Sequence, residues 1–341
     1  MPEAYPSSPI LLEHRRGDHV ESVHRGSWVV VDPDGSVLAG DGAIESPFYA
    51  RSAIKALQAL PLFDTGAVER FDLQDDELAL ALASHSAEAC HTDVVLRVLG
   101  KLGLSIDHLL CGAQVPDDAG TRQALRASGE KPGALHNNCS GKHAGFLALA
   151  RQLDAPPESY LEYGSEGQRL VREVLREFSA IGTEDPALSH GIDGCSAPTY
   201  RLSLRQLATA FARFTTPDGL SPERRAHCRR LTQAVARHPV LIAGTRKRLC
   251  TDLARVGNGR LFPKIGAEAV YVVGDVGGGR ALAVKFDDGA FRAVNTFVPA
   301  LLERLGWIDE AQVEALVPWT DRRSRNRAGL EVGRVEARIR T

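Results

Sequence analysis

Two stretches at opposite ends of the chain each contain a pair of β-rich runs around a turn. In SWVVVDPDGSVLAGDG (Ser27 to Gly42), the Asp34-Gly35 step favours the positive φ of a hairpin turn. Near the other end, AVYVVGD (269–275) and ALAVKFDDG (281–289) are separated by the glycines Gly277 to Gly279. We therefore predict two hairpins that share one antiparallel sheet.

Between these hairpins, from about Ala50 to Thr251, the apolar spacing is mostly helical. The clearest cases are Asp75 to Gly103 and Ser165 to Ile181, and a late helix is predicted from Val294 to Gly306. The polar stretch Arg322 to Arg327 is predicted to be a surface loop.

This order of elements predicts an α+β fold, with an antiparallel sheet built from both chain ends and a helical domain inserted between them. We expect residues 1–341 to form a single catalytic unit. Its sheet-containing part would comprise residues 20–60 and 255–341, and its helical part residues 61–254.

Composition excludes several classes of protein. The 341 residues are 43% hydrophobic, and 41 Lys and Arg against 43 Asp and Glu leave a net charge of −2, unlike the basic surface of a nucleic-acid binder. No run approaches the ~20 apolar residues that cross a bilayer, and Met1 to Arg16 lacks the apolar core of a signal peptide. We expect a soluble, cytoplasmic protein with a small-molecule substrate, whose six cysteines are free thiols or metal ligands.

A helical spacing in YARSAIKALQALPL (Tyr49 to Leu62) would place Ser52 and Lys55 on one face, within reach of each other. A serine hydroxyl is a poor nucleophile until a base removes its proton, and a lysine of depressed pKa can be that base. Ser-x-x-Lys alone is a weak signal, because both residues are common on helices.

Two further elements match the penicillin-recognising serine enzymes, which combine Ser-x-x-Lys with a Ser-x-Asn-like element and a Lys-Thr-Gly strand. Ser84-His85-Ser86 falls in the helical middle, and Lys264-Ile265-Gly266 precedes the late hairpin. Ser86 replaces the Asn, however, and Ile265 replaces a Thr whose hydroxyl helps to bind a carboxylate. A penicillin-type substrate is therefore not favoured.

A second group of residues lies in HNNCSGKHAGF (136–146) and GIDGCSAPTY (191–200). Cys139, Lys142 and Cys195 are candidate metal ligands, since zinc favours thiolate and imidazole, although lysine is an unusual ligand. A polar structural loop is the alternative interpretation. Four histidines, His85, His91, His136 and His143, are candidate ligands or general bases, or simply hydrogen-bonded side chains.

Six segments together resemble the L-asparaginase II family of thermolabile, Rhizobium-type enzymes: HRGSWVVVDPDG, RSAIK, SHSAEACHTD, HNNCSGKHAGF, GIDGCSAPTY and KIGAEAVY. The resemblance implies a serine β-lactamase-like fold and, in a homodimer, hydrolysis of L-asparagine to L-aspartate and ammonia. It also implies that Ser52 and Lys55 form a Ser-Lys pair completed by Ser84 and Lys264. By the same resemblance Cys139, Lys142 and Cys195 bind Zn²⁺ with water, and the zinc assists substrate binding.

The charged ends of such a substrate need partners, for which we select Arg51, Asp193 and His136. Three alternatives stay open. A glutaminase, esterase or β-lactamase would use the same serine, and a zinc hydrolase would attack with metal-bound water. The third is a catalytically silent amino-acid-binding homologue, which stays open because Ile265 replaces the Thr of the Lys-Thr-Gly strand.

Overall fold

A computed structural model describes residues 8–181 and 188–340 of the chain. Its strands are β1 (Ile10–Arg16), β2 (His19–Val31), β3 (Val37–Asp41), β4 (Phe48–Tyr49), β5 (His190–Ile192), β6 (Pro198–Leu202), β7 (Leu261–Gly266), β8 (Val270–Asp275), β9 (Arg280–Phe286), β10 (Arg323–Arg325) and β11 (Glu331–Ala337). Its helices are α1 (Lys55–Ala59), α2 (Pro61–Asp64), α3 (Ala67–Arg70), α4 (Asp75–Ala81), α5 (Ala89–Leu102), α6 (Ala119–Ser128), α7 (Ser140–Gln152), α8 (Glu166–Ser179), α9 (Leu204–Thr215), α10 (Pro222–Arg237), α11 (Leu249–Gly257), α12 (Phe291–Arg304), α13 (Glu310–Ala315) and α14 (Val317–Thr320).

The chain divides into two compact units. The sheet unit consists of Met1–Ala53, Leu202–Thr216 and Val256–Thr341. The helical unit consists of Ile54–Arg201 and Pro217–Arg255.

The sheet unit is organised around an antiparallel sheet with the strand order β10-β11-β1-β2-β9-β8-β7, with β3 also paired to β2. Strand β2 pairs with β9 from Gly26 opposite Phe286 to Val31 opposite Ala281, which joins the two chain ends. Helices α9 and α12 both pack on the sheet, and every residue of β8 is buried. Central strands covered in this way need continuous apolar runs, as their sequences have.

The two predicted hairpins are confirmed, as β2–β3 and β8–β9, and so is the α+β class with a sheet from both ends. The loop predicted at 322–327 is wrong, because β10 lies within it and pairs with β11. Arg323 stands opposite Arg334 on this edge strand. Charged side chains are tolerated there because the outer strand of a sheet faces water, so a polar sequence does not exclude a strand.

Helix α7 is the central helix of the helical unit, and every residue from Ser140 to Ala150 is buried. It packs against α4 and α5. Gly141 lies in its first turn, where a Cβ would stand 2.4 Å from the backbone oxygen of Leu80. This glycine therefore allows the close approach of α7 to the backbone at Leu80.

The helical pattern predicted from Asp75 to Gly103 is interrupted. Helix α4 ends at Ala81 and α5 begins at Ala89, and the segment between them, residues 82–88, carries Ser84, His85 and Ser86. The backbone N–H groups of Ser84 and Ser86 donate to the carbonyls of Ile242 and Ala243. These bonds replace the helical ones and hold the segment in an irregular, non-helical path.

Two further features bear on the class of protein. Across residues 8–181 and 188–340, each helix is too short or too polar to cross a membrane. All six cysteines lie in the described residues, and none of them forms a disulfide there.

Candidate active site

Ser52 lies in the sheet unit, on a single turn of 3₁₀ helix, Arg51–Ile54, that leads directly into α1. Arg51 has a φ of 51°, a left-handed conformation that is uncommon for a residue with a side chain. Backbone strain of this kind is concentrated at functional sites. It marks the residue just before the candidate nucleophile.

Strand β7 passes close to the Ser52 turn in the same unit. A Cβ on Gly266 would stand 2.8 Å from the backbone oxygen of Ala50 and 3.1 Å from the backbone nitrogen of Ala53. Only glycine permits this approach, which brings the Lys264-Ile265-Gly266 element beside the residues that flank Ser52. The absence of a side chain at Gly266 is therefore required for steric reasons.

Three lysines are almost completely buried: Lys55 is 1% exposed, Lys142 5% and Lys264 0%. A buried ammonium group needs partners, because removal of a charge from water costs several kcal/mol, and such lysines are candidates for function. Lys264 Nζ donates to the carbonyl of Ile265 at 2.8 Å, within the sheet unit. The other two lie in the helical unit.

Lys55 contacts residues of two other segments. Its Nζ lies 3.2 Å from Ser84 Oγ and 3.1 Å from Cys139 Sγ, and it also donates to the backbone oxygen of Ala83. Three acceptors match the three donors of an ammonium group. Lys55 thus links the serine of the interrupted helix to the first of the candidate metal ligands.

Cys139, Lys142 and Cys195 lie close together in the helical unit. Lys142 Nζ lies 3.0 Å from Cys195 Sγ, and the two sulfurs are hydrogen-bonded to each other. That bond holds the pKa of Cys139 well below its usual range, although burial opposes it, and raises the pKa of Cys195. Burial disfavours the charged form of Lys142, but the sulfurs of Cys195 and Cys139 raise its pKa above the ordinary value. The charges of Lys55 and Lys142 act in the same direction on the Cys139 thiol and also lower its pKa.

The two sulfurs are ligands that zinc favours, and the amine nitrogen of Lys142 completes the donor set only after it loses its proton, which its raised pKa opposes. Among residues 8–181 and 188–340, no group of three or more His, Cys, Asp or Glu side chains is arranged to hold a metal ion. The predicted set contains only two such residues, because its third member is a lysine. The zinc site stays a prediction.

The buried histidines have ordinary hydrogen-bond partners. The Glu88 N–H donates to His91 Nδ1, and His91 Nε2 bonds the carbonyl of Val240 at 3.2 Å. His143 Nδ1 lies 2.7 Å from the Tyr160 hydroxyl. Burial holds the pKa of both imidazoles below the usual value, so they are neutral side chains of the core near pH 7.

The three candidate substrate-binding residues fall in different parts of the chain. Arg51 lies in the sheet unit with a guanidinium nitrogen 4.0 Å from Glu268 Oε1. Asp193 lies near Lys142, where its charge contributes to the raised pKa of that lysine. The Gly133 N–H donates to His136 Nδ1 at 3.1 Å.

Sequence reasoning missed residues that hold these groups in place. Arg248 donates to the backbone oxygen of Ser84 and forms an ion pair with Asp117 at 3.0 Å. Asn137 accepts from the Cys139 N–H at 2.9 Å and donates to the Cys111 carbonyl at 2.8 Å. Arg248 lies outside the six family segments, whereas Asn137 lies within HNNCSGKHAGF, and its burial as a polar amide is the structural feature that marks it.

A buried lysine that reaches both a serine and a thiol has partners with which an amine can exchange a proton. The L-asparaginase II family model matches residues 12–337, nearly the whole chain. The chain belongs to the L-asparaginase II family, and it is a hydrolase of the asparaginase type. Among proteins of curated function, none matches it.

Three solved structures are similar to this chain at low sequence identity. A β-lactamase (Mb2281c) from Mycobacterium bovis is 16% identical with a TM-score of 0.40, over 82% of this chain and 94% of that one. Simvastatin synthase (LovD) from Aspergillus terreus is 12% identical with a TM-score of 0.37, over 76% and 86%. A putative β-lactamase from Bacteroides dorei is 14% identical with a TM-score of 0.39, over 76% and 84%. The family match, and not these low TM-scores, identifies the class of protein.

Proposed function

We propose that this chain is an L-asparaginase that hydrolyses L-asparagine to L-aspartate and ammonia, with Ser52 as the nucleophile. The observation that carries the proposal is the placement of Lys55 Nζ between Ser84 Oγ, at 3.2 Å, and Cys139 Sγ, at 3.1 Å. A fully buried amine with these two neighbours is suited to move a proton, because a hydroxyl and a thiol can both exchange one.

In the proposed reaction, the Ser52 hydroxyl loses its proton to Lys55, or to Lys264 through Ser84, and Oγ attacks the side-chain amide carbon. The protonated lysine then returns a proton to the amide nitrogen as the C–N bond breaks, and ammonia leaves. Water next attacks the ester on Ser52, releases L-aspartate and restores the serine hydroxyl. Backbone N–H groups near Ser52 hold the oxyanion in both steps.

We propose Cys139, Lys142 and Cys195 as the residues that hold zinc. When bound, the metal supplies a positive charge that assists substrate binding and leaves the attack to the serine. Convergence of both sulfurs and the lysine nitrogen supports this choice. Arg51 is proposed to pair with the substrate carboxylate and Asp193 with its ammonium group, with His136 as a further polar contact. By family resemblance, we also propose a cytoplasmic homodimer.

A substrate panel tests the proposed activity. Ammonia release is measured with L-asparagine and L-glutamine, and nitrocefin hydrolysis is followed by absorbance under the same conditions. We expect turnover of L-asparagine and none of nitrocefin. Binding of L-asparagine without ammonia release would favour a silent amino-acid-binding homologue, and turnover of L-glutamine alone would make the protein a glutaminase.

The role of the metal is tested with the same assay before and after chelation. We expect the chelated protein to keep most of its kcat and to need more L-asparagine for half-maximal rate. Loss of all turnover at saturating substrate would instead favour attack by metal-bound water.

A further inference from the structure

His85 lies in the non-helical segment between α4 and α5, residues 82–88, and its side chain is 1% exposed. The Ala87 backbone N–H donates to His85 Nδ1 at 3.1 Å, so this nitrogen carries no proton. A neutral ring must then carry its proton on Nε2, which lies 2.9 Å from Ser140 Oγ and donates to it. The Ser140 hydroxyl in turn donates to the Leu135 carbonyl at 3.0 Å.

Residue 85 bonds to both neighbours of Cys139. The His85 backbone N–H donates to the Asn138 carbonyl at 3.1 Å, and its imidazole donates to Ser140 Oγ. Residue 85 also directly follows Ser84. It therefore joins the two segments that supply the Oγ and Sγ atoms next to Lys55 Nζ.

We infer that His85 is a positioning residue, whose Nε2–H bond to Ser140 fixes Ser84 Oγ and Cys139 Sγ around the amine of Lys55. The link to turnover rests on the proposed function. Without this bond, the backbone bond from His85 to Asn138 still joins the two segments, but the side chains at the start of α7 can shift against Ser84. A displacement of ~1 Å at reacting groups costs up to ~10²-fold in rate. Mutation of a residue that hydrogen-bonds to a metal ligand and orients it typically lowers metal affinity or activity by ~10–100-fold.

His91 provides a matched control. It is also fully buried and stacks on His85, with ring centroids 5.0 Å apart and planes 11° from parallel. Its ring nitrogens bond to the backbone of Glu88 and Val240, and not to residues 138–140. Removal of either imidazole leaves a similar cavity, but only removal of His85 breaks the link to Ser140.

The kinetic test compares His85→Ala, His85→Gln, Ser140→Ala, the double variant His85→Ala/Ser140→Ala, and His91→Ala. We expect His85→Ala and Ser140→Ala each to lower kcat at least ~10-fold, with the double variant no worse than the poorer single one. His85→Gln keeps an N–H near the position of Nε2 and should recover kcat to within ~3-fold of wild type. A loss in His91→Ala equal to that in His85→Ala, or no recovery in His85→Gln, would overturn the inference.

A second readout needs neither substrate nor the proposed activity. Each variant is brought to the same zinc content and treated with iodoacetamide, and alkylation of Cys139 is followed by peptide mass spectrometry. We expect the rate to rise at least ~10-fold in His85→Ala and Ser140→Ala but not in His91→Ala, because the segment around Cys139 loosens. Equal rates in all variants would contradict the positioning role. If the wild type released no ammonia from L-asparagine, the proposed function would fail and alkylation alone would decide the inference.

Discussion

Two charge clusters in the helical unit differ in the partners of their lysines. In the first, the Glu77 carboxylate accepts from Lys101 Nζ at 2.8 Å and from Arg97 Nε at 2.8 Å. In the second, Lys55 reaches Ser84 and Cys139, and Lys142 reaches Cys195. The first cluster pairs two cations with one anion, whereas the second pairs cations with hydroxyl and thiol groups.

We call the group around Glu77 the structural cluster, and the group around Lys55 and Lys142 the chemical cluster. The carboxylate of the first cluster accepts charge-assisted hydrogen bonds from two cations, so its cluster stabilises the fold. Thiols and hydroxyls exchange protons with a neighbouring amine, and their protonation changes the local charge. The clusters should therefore respond differently to the same substitution.

The largest expected contrast is between Lys55→Met and Lys101→Met. Loss of a general base typically lowers rates ~10²–10⁴-fold, so Lys55→Met should lower kcat for L-asparagine by this amount. Lys101→Met should stay within ~2-fold of wild type, because its partner Glu77 lies in the structural cluster. Steady-state ammonia release checks both variants.

Equal activity of these two variants would break the comparison. Circular dichroism spectra and melting temperatures show whether Lys55→Met is folded, which separates loss of the base from loss of the structure.

The thiols of the chemical cluster should control metal content. Cys139→Ala and Cys195→Ala should each lower zinc affinity by at least ~10-fold, since each removes a proposed ligand. Cys228→Ala is the matched control, because Cys228 is also a buried free thiol of the helical unit but lies on α10. Elemental analysis of protein purified without chelator measures the effect, and a Cys228→Ala variant that lost equal zinc would contradict the assignment.

A smaller effect is expected on the stability of the protein, through the structural cluster. Lys101→Met removes one of the hydrogen bonds to buried Glu77 and should lower the free energy of unfolding by about 1–2 kcal/mol. Urea denaturation measures the change. Unchanged stability would mean that the remaining donors, Arg97 Nε and the Gln74 N–H, satisfy this carboxylate.

The smallest effect is a dependence of stability on pH through His91. Burial lowers the pKa of folded His91 below the unfolded value of about 6.5, so only the unfolded chain takes up the proton just below that pH. The stabilising contribution is complete above about pH 6.5 and is lost as the pH falls further. Urea denaturation at several pH values should show a shallower decline in His91→Gln, and an unchanged slope would exclude His91 as a contributor.

The central strands were predictable because apolar runs around glycine turns are local signals. Residues 28–31 and 270–273 are continuous apolar runs, and both form central strands. Strand β1 and edge strand β10 were missed, since charged residues make up much of their sequences. Helix α9 belongs to the sheet unit, and no local pattern reveals this long-range packing.

The chemical cluster was only partly predictable. Motif matching selected Lys55, Ser84, Cys139, Lys142 and Cys195, and all five lie in one buried network. The break between α4 and α5 was not predicted, because its residues continue a helical apolar pattern. Hydrogen bonds to residues distant in sequence hold this segment in a non-helical conformation. His85 was seen only as a candidate ligand or base, since its bond to Ser140 depends on contacts 55 residues apart.

The central claim is that the Ser52 hydroxyl attacks the amide. Ammonia release from L-asparagine is measured for the wild type and for Ser52→Ala at equal zinc content and saturating substrate. We predict that Ser52→Ala lowers kcat at least ~10³-fold, because removal of a nucleophile leaves only binding and oxyanion stabilisation. Activity of Ser52→Ala close to that of the wild type would contradict the account and assign the attack to another group.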